Sequence, residues 1–146
     1  MYRFLLFSLI LFATFTATVR GAETTVRTFT PNSYSQLLNE NDEKEFTLMF
    51  WSVECSPCLK ELKHVSENKM YLSQKFIFVS IDNNQSPDQI SMMIKKLKLT
   101  KQQHWVFQAG KEKEIIDSVD ENWYGEVPRN YYFDEDHNRT RLGAIK

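Results

Sequence analysis

The feature that most constrains this chain is a six-residue apolar run, Phe46 to Trp51 (FTLMFW), which leads through a short turn into Cys55-Ser56-Pro57-Cys58. A strand that is apolar at nearly every position has no face to give to water, so it belongs in the middle of a sheet covered on both sides. Phe76 to Asp82 (FIFVSID) has the same character, and Trp105 to Gln108 reads as a shorter third strand. Helical spacing separates them. Ser56-Pro57 opens one helix, because a proline in the first turn gives up an N–H that had no partner there, and Leu59, Leu62 and Val65 continue it. Pro87 to Leu97 places Ile90, Met93, Ile94 and Leu97 on one side and Lys95, Lys96 and Lys98 on the other. A charged turn at Gly110 to Glu114 precedes a helix predicted over Ile115 to Trp123. Asn130 to Asp134 and Arg139 to Ile145 form a predicted hairpin. Upstream, Glu23 to Thr30 is polar and β-leaning, and Tyr34 to Asn39 predicts a short helix with Leu37 and Leu38 inward. Strands alternating with helices predict an α/β layer fold that ends in an antiparallel pair.

The 146 residues suit one domain plus a targeting segment. Hydrophobic residues make up 42%, enough for a packed core, and a net charge of -1 offers no basic excess for binding nucleic acid. At the N-terminus, Arg3 precedes an apolar run from Phe4 to Val19, followed by small residues. That pattern describes a secretory signal over residues 1–21 with a cut after Gly21, leaving a domain over residues 22–146. An uncut membrane anchor is the other reading, although the run is short for a span of ~20 residues. Export implies a location outside the cytoplasm, the periplasm if the source is bacterial, where a thiol pair can rest oxidised.

Cys55 and Cys58 are the only cysteines. A purely structural disulfide across so short a loop would remove little entropy from the unfolded chain. Zinc needs four ligands, and the only histidines, His64, His104 and His137, are scattered. A third reading is chemical. At a helix start, unpaired N–H groups and the helix dipole stabilise a thiolate on the first cysteine. The second, one turn on, can reach back and close a ring, so the pair can exchange two electrons through a mixed disulfide. Pro57 stiffens the loop between them.

Phe50-Trp51-Ser52-Val53-Glu54-Cys55-Ser56-Pro57-Cys58-Leu59-Lys60-Glu61 resembles the thioredoxin superfamily, and most closely its exported TlpA/ResA-type thiol–disulfide oxidoreductases. The resemblance continues through FIFVSID and VPRNYYFDEDHNRTRLG and covers roughly residues 28 to 143. It implies a thioredoxin fold, a central mixed sheet flanked by helices with a C-terminal β-hairpin. It also implies that Cys55 is the exposed nucleophile and Cys58 the buried resolving thiol. Pro128 would be a cis-proline facing the disulfide, with the Val127 backbone pairing with a substrate strand, and Glu61 would accept the proton of Cys58.

Three positions depart from the pattern. Glu54 replaces an aromatic residue, where its carboxylate disfavours a Cys55 thiolate and alters the partner surface. Met49 stands where relatives carry Asp or Asn, which shifts weight to Glu61. The chain stops at Lys146, where relatives continue into a last helix. The implied activity is reduction of disulfides in partner proteins, fed by an upstream thiol donor and needing no organic cofactor or metal. Two alternatives stand beside it: a thioredoxin-fold binding or assembly module with little turnover, and a disulfide oxidant or isomerase.

Overall fold

A computed structural model describes residues 24–146. The secretory segment expected over residues 1–21 lies outside the described residues. Six strands form one sheet in the order β1-β4-β3-β2-β5-β6. These are β1 (Val26–Phe29), β2 (Phe46–Trp51), β3 (Phe76–Ser80), β4 (Gln103–Phe107), β5 (Arg129–Phe133) and β6 (Arg139–Leu142). The first four are mutually parallel, whereas β5 runs antiparallel to β2, and β6 antiparallel to β5. The sheet is therefore mixed and α/β, with the expected C-terminal hairpin.

Both faces are covered, as the apolar runs require. Along β2 all six side chains are buried. Phe46, Leu48 and Phe50 face one core, and Met49 and Trp51 face the other, the period-2 alternation of a strand. The first core lies under α1 (Ser33–Glu40) and α5 (Glu112–Val119). It is dense in aromatic rings: Phe46 stacks on Phe133 at 4.6 Å across the β2–β5 pair, and Phe50 packs against Phe29, Phe107 and Trp123. The second core lies under α2 (Ser56–Glu67) and α4 (Pro87–Lys96). In α2, Cys58, Glu61, Leu62 and Val65 share the inward face, at the i, i+3, i+4, i+7 spacing of one helix side.

Several elements differ from the sequence expectation. The helix predicted over Ile115 to Trp123 runs instead from Glu112 to Val119. Glu112 and Glu114 sit in its first turn, where the dipole favours acidic groups, so the supposed charged turn is partly helix. At Asp120 the backbone turns extended and the helix ends, and Trp123 packs its ring into the first core from the following loop. A short helix, α3 (Lys69–Ser73), was not expected; the Asn68 side chain caps it by accepting from the Met70 N–H. Strand β4 begins at Gln103, two positions early, because parallel pairing with β3 starts there. Its His104 is buried, with Nε2 2.8 Å from the Leu99 carbonyl, and burial pushes its pKa down. The return strand ends at Leu142 and not at Ile145; residues 143–146 form no regular element. No helix among the described residues is long and apolar enough to cross a membrane.

Candidate active site

The interior strand β2 ends at Trp51, and α2 begins at Ser56. The turn between them is clamped by one carboxylate. Asp82, just past β3, accepts from the Ser52 hydroxyl at 2.6 Å and the Val53 N–H at 2.8 Å. It also accepts from the Ser80 hydroxyl at 2.7 Å. The Ser52 hydroxyl in turn accepts from the Glu54 N–H at 3.1 Å. Parallel pairing of Trp51 with Ser80 is what brings these segments side by side. Hydrogen bonds to a charged acceptor are each worth about 1.5–3 kcal/mol. Asp82→Ala is therefore expected to cost about 2 kcal/mol in chemical denaturation, and to make residues 52–54 faster in amide hydrogen exchange than those of β5. Sequence reasoning saw Asp82 only as a strand end. The signal that could have found it is two serines and an aspartate at the ends of two predicted neighbouring strands.

Cys55 is the N-cap of α2, with extended backbone, and its Sγ accepts from the Cys58 N–H at 3.2 Å. The two sulfurs form a disulfide. Cys55 is partly exposed, whereas Cys58 is fully buried in the second core. Pro57 lies in the first turn of α2, exposed, and Glu54 is exposed just before the pair. An amide donor aimed at Cys55 Sγ, at the positive end of a helix, favours a thiolate there once the bond is reduced. The Glu54 carboxylate next door acts in the opposite sense.

The loop before β5 comes from the other side. The Val127–Pro128 peptide is cis, and the Val127 carbonyl oxygen lies 3.6 Å from Cys55 Sγ. Val127 and Pro128, beside the disulfide, are both partly exposed. Behind this loop stands a buried ionic group. Arg129 donates through Nε to the Tyr131 hydroxyl at 2.7 Å, and through its two terminal nitrogens to Asp120 at 2.8 Å and Glu126 at 2.9 Å. Tyr131 donates to Asp120 at 2.7 Å. The Trp123 indole N–H donates to the Glu126 carbonyl at 2.8 Å. The hydrogen bond from Tyr131, aided by Asn122, Arg129 and Arg139, holds Asp120 down at about 2. Burial and the bond to Asp120 push Tyr131 up to about 12. Tyr131 lies in the first core, but its hydroxyl and Arg129 make polar contacts that no local sequence pattern announces.

Glu61 lies one turn after Cys58 on the buried face of α2 and is 5% exposed. Its Oε2 accepts from Asn130 Nδ2 of β5 at 2.8 Å. Of the residues singled out from sequence, Cys55, Cys58, Val127 and Pro128 thus meet at one point. Glu61 stands behind Cys58, and Pro57 and Glu54 form the exposed rim.

No family model and no curated relative matches the chain. Solved structures do. A secreted disulfide oxidoreductase of Mycobacterium tuberculosis, described as homologous to E. coli DsbE, aligns with a TM-score of 0.54 at 15% identity over 71% of this chain and 72% of its own. The thioredoxin domain of a thiol–disulfide oxidoreductase from Bacteroides vulgatus gives 0.56 at 20% identity over 71% and 72%. The N-terminal domain of PilB from N. meningitidis, solved in its reduced form, gives 0.51 at 17% identity over 80% and 89%. The chain has the thioredoxin fold. Two of these structures are of disulfide oxidoreductases, and here the fold carries a Cys55–Cys58 disulfide at the start of α2.

Proposed function

We propose that this protein is an exported thiol–disulfide oxidoreductase that reduces disulfides in partner proteins. The observation that carries the reading is the placement of Cys55 Sγ, between the amide end of α2 and the partly exposed Val127–Pro128 segment. In the dithiol form, the Cys55 thiolate attacks a substrate disulfide. A Cys55–substrate S–S bond forms, the substrate bond breaks, and one substrate thiolate leaves. Glu61 takes the proton of Cys58, whose thiolate then attacks Cys55 Sγ. The intramolecular disulfide forms, the mixed disulfide breaks, and the second substrate thiol departs with the electron pair. An upstream thiol donor returns the dithiol form. Pairing of a substrate strand with the Val127 backbone orients the sulfur for attack, and Pro57 and Glu54 form the rim that the partner meets. The secreted state of the mycobacterial protein and the N-terminal apolar run both support export.

The test is turnover. A catalytic amount of protein with excess dithiothreitol is expected to accelerate reduction of a disulfide-bonded protein such as insulin, and Cys55→Ser to abolish the acceleration. A folded wild-type protein that binds the substrate but gives no acceleration would favour the binding-module reading instead.

A further inference from the structure

Asn130 is an odd residue to find where it is. It lies in β5 opposite Met49, two residues past Pro128, and is 2% exposed. Its Nδ2 donates twice, to Glu61 Oε2 at 2.8 Å and to the Gly143 carbonyl at 3.3 Å. Both neighbours are acceptors, so the amide nitrogen must face them and the orientation of the group is fixed. Its Oδ1 is then left buried with no partner among the described residues. Such an acceptor costs about 1–3 kcal/mol, and an aliphatic side chain in a buried strand position would avoid that cost. A primary amide has one property that no apolar residue shares. It can donate to a carboxylate and can also accept from the hydroxyl of the same group once it is protonated.

We propose that Asn130 is a positioning residue for proton transfer between Cys58 and Glu61, holding the ionised carboxylate through Nδ2 and accepting the Glu61 hydroxyl on Oδ1 after the transfer. The inference rests on the exchange reaction proposed above and concerns its second half. As Cys58 resolves the mixed disulfide, its S–H bond breaks and an O–H bond forms on Glu61. The Cys58–Cys55 bond forms, the Cys55–substrate bond breaks, and the substrate thiolate leaves. The proton on Glu61 then passes to water. Without Asn130 the carboxyl group would lose the side-chain partner that it has in its ionised form, and the acceptor for its hydroxyl when protonated, in a site only 5% exposed.

The test separates the two halves of the reaction. Reduced protein is mixed with glutathione disulfide across a range of pH. Release of the first glutathione reads attack by Cys55, and release of the second reads resolution by Cys58. Asn130→Leu is expected to slow resolution about tenfold or more at pH 7, the size of one lost charge-assisted hydrogen bond, and to move the pH midpoint of resolution upward. Attack by Cys55 should stay within about twofold. Asn130→Thr, whose hydroxyl both donates and accepts, should recover most of the rate and the midpoint, and it serves alone if the leucine variant does not fold. Asn130→Asp should move the midpoint higher still, because two carboxyl groups then share the site. Resolution at the wild-type rate with an unmoved profile in the leucine variant would overturn the inference. So would an equal fall in both halves, or a threonine variant no better than leucine. If wild-type protein itself releases no glutathione while folded, the proposed function fails first, and that result is distinct from the others.

Discussion

Cys58→Ser, reduced and mixed with a disulfide-bonded protein, is expected to accumulate a mixed disulfide on Cys55 that lasts for hours. Cys55→Ser under the same conditions should form none, a loss of at least about 10³-fold in exchange rate, because attack needs an accessible thiolate. The asymmetry follows from burial and from the helix. Cys55 is partly exposed at the N-cap with an amide donor on its sulfur, whereas Cys58 lies in the second core with no exposed surface. Cys55 can therefore reach a partner, and Cys58 can reach only Cys55. With the resolving thiol gone, nothing inside the protein releases the adduct. Non-reducing gel shift with peptide mass mapping reads both the amount of adduct and the cysteine that carries it. Comparable adducts on both single variants would mean that the two thiols are equally open, and would dissolve the division of roles.

The second large effect lies behind the Val127–Pro128 loop. Asp120→Ala leaves Arg129, 3% exposed, with only the half-exposed Glu126 as an anionic partner within the described contacts. Breaking a buried ion pair by removing one side costs about 3–5 kcal/mol, since the other charge stays desolvated. We expect a loss of about 3 kcal/mol in denaturant unfolding. Exchange with partner proteins should also slow, because Arg129 and Trp123 anchor Glu126, next to Val127. Asp120→Asn should cost less, because the amide oxygen still accepts from Tyr131. The same carboxylate gives a pH dependence. Its folded pKa, about 2, lies below its ordinary value of 3.8, so the unfolded chain binds the proton first as pH falls. The stabilisation is complete above about pH 4 and is lost progressively toward pH 2, and amounts to about 2 kcal/mol. Unfolding free energies measured between pH 5 and 2.5 should fall more steeply for wild type than for Asp120→Asn.

Much of the site was visible in the sequence because it is local. An apolar strand, a tight turn and a Cys-x-Pro-Cys helix start occupy thirteen consecutive positions, and periodicity alone places Cys58 and Glu61 on the same helix face. The two buried strands were legible for the same reason: β2 and β3 are apolar at nearly every position, and each proves buried along its whole length. What was not legible is pairing over distance. Asp120 falls inside the helix predicted over Ile115 to Trp123, Arg129 in the link before the strand predicted from Asn130, and Tyr131 within that strand, and only the folded chain brings their polar atoms within 3 Å. Asn130 read as an ordinary strand start for the same reason. Its significance depends on facing Glu61 from another element, and no pattern within β5 announces that.

The direction of exchange is decided by the redox equilibrium of the purified domain against dithiothreitol and glutathione buffers, read by trapping free thiols, with Cys55→Ser as the control. A reductase gives a reversible two-electron couple at reducing values, near the approximately −270 mV of thioredoxin. A couple near the approximately −120 mV of strong oxidants would contradict the proposed direction, and a folded protein whose Cys55–Cys58 pair does not exchange at all would contradict the catalytic reading itself.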